Sequence, residues 1–218
     1  MYELLFKKPF AKRLTLMLVG VLLMGICVSF LRRVHFGTDP FSAMNYGLEK
    51  HIPISFGTLE LITNGLMLVI VLFFNIKRLG FGTVGNMVII GYTADFTDFI
   101  MERFFGMGEI TYLPARIGIM LVMVVIFVFS CALYMNAGLG ASAYDALPYI
   151  ITDELSKVLN KKVSFTVVRV VFDAFFTGIA FLLGGEAGII TILMVISLGP
   201  VITFVAKLLS DILKLDAV

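Results

Sequence analysis

Five charged residues within long apolar stretches of the 218-residue chain are candidates for chemistry: Glu60, Asp95, Asp98, Arg169 and Asp173. A charge at membrane depth is costly, so it marks either a pairing or a function. Spacing sorts these five. Arg169 and Asp173 are four residues apart and share one helix face, where they can pair; Glu60 and Asn64 share a face in the same way. Such a polar seam suits two kinds of chemistry. It can lock helices together as a buried ion pair, or it can line a route for a small molecule or a proton, with Asp173 as the protonatable group. Depth separates the members. Glu60 lies roughly 8 Å into its apolar run at about 1.5 Å per residue, and Arg169 lies about as far into another run. Asn64 and Asp173 lie one turn deeper, roughly 13–15 Å in, near the middle of a ~30 Å hydrocarbon core. If the two runs enter from opposite faces, Glu60 and Arg169 stay apart, while Asn64 and Asp173 can face one another. Asp95 and Asp98 fall near the end of their run and read as interfacial, with Asp95 the more inward.

The elements that position these groups follow from composition. Hydrophobic residues make up 60% of the chain and charged residues 15%, against about 45–50% and about 25% in soluble domains. Mean hydropathy is +1.03. Apolar runs near 14–31, 56–76, 83–101, 117–135, 163–184 and 187–208 are each about as long as a bilayer crossing requires. The chain therefore reads as one all-α membrane domain over 1–218 with six transmembrane helices. The start, MYELLFKKPFAKR, resembles a signal-peptide head, but the run behind it is span-length and no small-residue cleavage site follows, so it is kept as the first span. The net charge of +2 predicts no nucleic-acid partner. Its distribution is informative: Lys7, Lys8, Lys12, Arg13, Lys77, Arg78, Lys157, Lys161, Lys162, Lys207 and Lys214 fall on one side. Fewer basic residues fall on the other, among them Arg32, Arg33 and Arg103, so both termini are expected in the cytoplasm.

Two polar interruptions recur. Residues 36–48 read FGTDPFSAMNYGL and residues 139–151 read LGASAYDALPYII. Aligning Gly37 with Gly140 brings Ser42 to Asp145 and Tyr46 to Tyr149. With an insertion in the second copy, Ser55-Phe56 meets Ser164-Phe165, Glu60 meets Arg169, Asn64 meets Asp173, Gly80 meets Gly188 and Thr83 meets Thr191. The pattern predicts an internal repeat, about 12–104 and about 115–210. Three spans per half is an odd number, so the second half enters from the opposite face as an inverted-topology repeat.

Each interruption predicts a short extra helix after the first span of its half, about 39–50 and 142–158. Gly37 and Gly140 permit the sharp turn, Asp39 and Ser142 serve as N-caps, and Pro40 suits the first helical position. Two placements are open. The helices could lie flat at opposite surfaces as amphipathic connectors. They could also be re-entrant, buried in protein with their N-termini aimed inward. The second placement favours an anion at the positive helix ends, although Asp39 opposes one in the first copy.

The segments GLGASAYDAL (138–147) and HFGTDPFSAM (35–44), with Ser55-Phe56-Gly57-Thr58 and Gly80-Phe81-Gly82-Thr83, resemble the YczE/YyaS/YitT family of small bacterial integral membrane proteins over nearly the whole chain. The family's Trp is Tyr144 in one copy and Phe41 in the other; its Asp is Asp145 in one and Ser42 in the other. The resemblance implies a multi-pass protein of the bacterial cytoplasmic membrane with a transporter-like or exporter-like role, and it names no substrate.

A small-molecule secondary transporter or exporter is therefore expected, with Asp173, Asn64, Arg169, Glu60, Asp145 and Ser42 as the substrate or proton route. The competing readings are a substrate-binding membrane subunit of an energy-coupled importer and a non-transporting scaffold or regulator. The chain carries no P-loop, so an ATPase would be a separate subunit. No nucleophile-plus-base set is visible, so an enzyme is not expected. Cys27, Cys131, His35 and His51 match no metal spacing, and no metal or cofactor is expected. The expected partners are the lipid bilayer and a small molecule, with a second copy or a partner subunit left open.

Overall fold

The computed structural model describes residues 8–75 and 79–213. Lys7, Lys77, Arg78 and Lys214, which enter the charge argument, lie outside the described residues, as does the side chain of Lys8. Within them the fold is all-helical, with α1 Lys8–Val34, α2 Pro40–Glu49, α3 Phe56–Asn75, α4 Phe81–Phe105, α5 Leu113–Asn136, α6 Ala143–Val158, α7 Phe165–Leu182 and α8 Ile189–Leu213. Helices are the natural form for such a sequence, because lipid offers no partners for backbone N–H and C=O groups.

Five helices are long and apolar enough to cross a membrane: α1, α3, α5, α7 and α8. The run expected at 83–101 is helical as the middle of α4, but α4 falls short of that apolarity. Asn86, Thr93, Asp95, Thr97 and Asp98 break its apolar surface, and the two aspartates find partners inside the bundle. The carboxylate of Asp98 accepts from Ser29 Oγ at 2.6 Å and from Arg33 Nη2 at 2.7 Å. Asp95 accepts from the backbone N–H of Gly57 at 3.0 Å. Asp98, expected at an interface, is thus the hub of a polar network between α1 and α4.

The most extensive packing joins α1 to α5, and α4 and α8 flank them, on α1 and α5 respectively. Close approach is built into the sequence: a Cβ on Gly20 would stand 2.8 Å from the carbonyl oxygen of Ser130, so α1 and α5 meet backbone to backbone. The short helices cross between the two halves, α2 packing on α7 and α6 on α3.

The expected starts of the short helices are borne out. Asp39 caps α2, its carboxylate accepting from Ser42 N at 3.1 Å, with Pro40 in the first turn. Ser142 caps α6, its hydroxyl accepting from Asp145 N at 3.0 Å. Gly37 and Gly140 precede them at φ 105° and 107°, a region that L side chains rarely occupy. Pro40–Gly47 of α2 are all buried. An amphipathic connector lying on a surface would leave one face open, and this stretch leaves none. In α6, burial covers Ala143, Tyr144, Ala146, Leu147, Pro148 and Ile150, and beyond these half-buried residues alternate with exposed ones such as Leu155 and Val158.

Candidate functional site

Two matching clasps hold the short helices. In one, the Thr191 hydroxyl at the start of α8 donates to the Thr38 carbonyl at 2.7 Å and accepts from Gly188 N at 3.1 Å, while Ile190 N donates to Phe36 O at 3.0 Å. In the other, the Thr83 hydroxyl at the start of α4 donates to the Ala141 carbonyl at 2.6 Å and accepts from Gly80 N at 3.1 Å, while Gly82 N donates to Leu139 O at 2.7 Å. Each loop that launches a short helix is therefore gripped by the last helix of the other half. Two aromatic pairs match as well: Tyr46 stacks on Phe56 and Tyr149 on Phe165, both with centroids 4.1 Å apart.

The clasped first turns of α2 and α6 open onto one cavity of about 760 Å³, within the range of small-molecule sites. Ser42, Glu60, Asn64, Asp145 and Arg169, five of the six route residues expected from the sequence, line it. Asp39, Gly140 and Ser142 line it too. Gly37 does not; it sits in the clasp behind, against Gly188 and Thr191. Asp173 is also one layer back. It is held by two lining residues, accepting from Tyr144 Oη at 2.5 Å and from Arg169 Nε at 2.8 Å.

The two sides of the cavity differ in charge compensation. On the α6–α7 side, Arg169 bridges two acids, donating to Asp173 and, through Nη1, to Asp145 Oδ1 at 2.8 Å. The second Asp145 oxygen accepts from Ser142 Oγ at 2.7 Å. The Arg169 guanidinium also lies over the Tyr144 ring, 5.2 Å from its centroid. Asp173 is 2% exposed and Asp145 38%, so the Asp173 bond is the one screened least by water. Every charge here has a partner.

Among the described residues that line the cavity, the α2–α3 side has no lysine or arginine. Glu60 accepts from Asn45 Nδ2 at 2.9 Å, and Asn64 Nδ2 donates to the Glu60 carbonyl at 3.1 Å. Asn45 is completed by Thr63 Oγ1, which donates to its Oδ1 at 2.9 Å. Two acceptors on cavity-lining residues are left over. Asp39 Oδ2 and Asn64 Oδ1 are buried with no hydrogen-bond partner. An unpaired buried polar group costs about 1–3 kcal/mol, so each calls for an explanation. Arg169 is engaged with the two aspartates rather than with Glu60.

Asn45, Tyr144 and Asn86 belong to the site and were not singled out as site residues from the sequence. The available signal was polarity in an apolar setting. Asn45 and Asn86 are amides buried at 0% and 5% exposure, and the expected helix at 39–50 could have been searched for the inward face carrying Asn45.

A second cavity of about 660 Å³ opens near the C-terminal ends of α1 and α2. Arg33 is buried there, donating to Asp98, to the Met107 carbonyl and to Gly108 O at 3.1 Å. Arg32 pairs with Glu49 at 2.8 Å and lies 4.4 Å from the Tyr46 ring centroid. His35 and Lys50 approach Glu186 at 3.1 and 3.6 Å. The charges here are largely paired within the chain, and the arrangement ties the ends of α1, α2 and α4 to the loop before α8.

Residues 11–207 match the model of a family described as a family of unknown function, DUF6198. The chain is 27% identical over 199 residues to the uncharacterized membrane protein YczE of Bacillus subtilis (strain 168), covering 91% of this chain and 87% of that one. It is 26% identical over 201 residues to an uncharacterized protein of Haemophilus influenzae, covering 91% and 85%. The family resemblance drawn from the two glycine-rich segments is thereby borne out. No solved structure matches the chain.

Proposed function

We propose that this chain, a membrane protein belonging to the DUF6198 family, is a small-molecule secondary transporter of the bacterial cytoplasmic membrane. In this reading α4 completes six spans, which form two inverted three-helix repeats. Both termini are cytoplasmic, and α2 and α6 are re-entrant.

One observation carries the reading: equivalent elements from both halves build a single polar cavity. The reciprocal Thr191–Thr38 and Thr83–Ala141 clasps are what a pseudo-two-fold axis between the halves would generate. The first turns of α2 and α6, together with α3 and α7, supply the cavity's polar groups. Binding near the interface of two repeats, by helices whose ends point at the ligand, is a common plan among secondary transporters, and rocking one repeat against the other then alternates access. Ser42, Glu60, Asn64, Asp145 and Arg169 form the route in this scheme, and Asp173 holds Arg169 in position. No catalytic role is assigned to any of them.

Alternating access is testable without knowing the substrate. With Cys27 and Cys131 replaced by serine, Ser42→Cys is labelled with a membrane-impermeant maleimide, first on intact cells and then on inverted vesicles. A transporter is labelled from both faces. Labelling from one face alone, or from neither, rules out alternating access and favours a scaffold.

A further inference from the structure

We propose that the cavity takes an organic cation, a protonated amine with at least two N–H donors and an apolar body, its charged head held by Asp39, Asn64 and Glu60. This deepens the transport reading and rests on the same cavity.

Of the buried side-chain atoms without a hydrogen-bond partner, the two on residues that line the cavity are both acceptors, Asp39 Oδ2 and Asn64 Oδ1. The orientation of Asn64 follows from its neighbours: its Nδ2 faces the backbone carbonyl of Glu60, which can only accept. Oδ1 is thus the atom left over. In Asp39 the other oxygen already accepts from Ser42 N. A ligand that satisfies both orphans must bring donors, and a primary ammonium carries three.

Charge points the same way. Among the described residues, Asp39, Glu60 and Asp145 line the cavity with Arg169 as the one lysine or arginine, a formal balance of −2. Arg169 is already committed to Asp145 and Asp173, so it offers nothing to Asp39 or Glu60. The N-termini of α2 and α6 would each contribute roughly +0.5 charge, about +1 together, which does not cancel the deficit. Each is also occupied, α2 by Asp39 and α6 by Ser142 with Asp145 in its first turn. An anion would meet uncompensated carboxylates; a neutral ligand would leave them uncompensated. The apolar body has walls in Phe41, Tyr144, Tyr149 and Phe165. Phe41 and Tyr144 stand 4.8 Å apart, one from each half. Aromatic faces of this kind add attraction for a cation.

The test uses the purified full chain in detergent and four matched probes: 3-phenylpropylamine, 3-phenylpropan-1-ol, 3-phenylpropanoate and trimethyl(3-phenylpropyl)ammonium. The primary amine is expected to bind saturably and raise the unfolding temperature. It should bind on the order of tenfold more tightly than the alcohol or the carboxylate, as a close charge pair implies. The quaternary ammonium, which lacks N–H donors, should bind more weakly than the primary amine. Asp39→Asn keeps a competent N-cap and Glu60→Gln keeps its shape, so both should fold and both should weaken amine binding about tenfold or more. Equal or tighter binding of the alcohol or the carboxylate overturns the assignment, as does unchanged amine affinity in both variants, or no binding of any probe at millimolar concentration. The two levels separate cleanly. A carboxylate bound in place of the amine removes the cation assignment and leaves transport standing. Amine binding with Ser42→Cys reachable from one face alone keeps the cation site and removes transport.

Discussion

The hydroxyl of Thr191 donates to the carbonyl of Thr38 across 153 residues of sequence. Thr83 makes the same contact to Ala141, with both threonines buried at 0–1% exposure. Thr191→Val keeps the side-chain shape and removes the donor to Thr38 and the acceptor for Gly188 N. It should destabilise the protein by about 1–3 kcal/mol, the cost of leaving buried polar groups unpaired. Thr83→Val should cost a similar amount. The two clasps share no partner, so the double variant should show nearly additive losses. Thermal or denaturant unfolding in detergent measures all three; strong non-additivity would mean that the clasps act as one unit.

Arg169 stands between two acids of unequal burial, which predicts unequal losses. Asp173→Ala leaves a buried guanidinium without its better-shielded partner and should cost about 3–5 kcal/mol. Asp145→Ala removes the partner that is 38% exposed, where water screens the pair, and should cost about 1 kcal/mol or less. Arg169→Lys should not rescue fully, because a lysine cannot span both acids with a planar fork. Unfolding midpoints of the three variants rank these effects; an Asp145→Ala loss equal to that of Asp173→Ala would show that the burial difference does not govern the network.

The proposed inverted arrangement makes a directional prediction about the membrane. Reporters fused after Arg103 and after Lys161 should lie on opposite faces, Arg103 outside and Lys161 inside. Reporter activity on intact cells reads this directly. Signals from the same face would exclude the inverted repeat, while leaving the clasps and the cavity as described.

What the sequence determines by itself is local. The apolar runs make this an all-helical membrane chain, because backbone groups in lipid must be satisfied within their own segment. Asp39 and Ser142 start the short helices because a cap needs only a side chain and the N–H groups two or three residues on. The Arg169–Asp173 pair was legible from the helical pitch, since four residues bring two side chains to one face. The correspondence of Thr83 with Thr191 and of Gly80 with Gly188 was also legible, as matched positions in the expected repeat. That the matched positions of each half grip the other half was not.

The tertiary structure alone decides those cross-half contacts. Arg169 also reaches Asp145, 24 residues away, and Arg33 reaches Asp98, 65 residues away. No sequence spacing encodes either. Helix packing likewise moved Asp173 behind Arg169 and Tyr144 and placed the unpaired acceptors on Asp39 and Asn64. The aligned pairs Glu60/Arg169 and Asn64/Asp173 reveal a difference in charge between the halves, but whether a charge is neutralised depends on what lies within a few ångströms. One side of the cavity is closed by its own arginine, and among the described residues the other keeps two acids without a cation, because the one guanidinium lining the cavity is folded between Asp145 and Asp173.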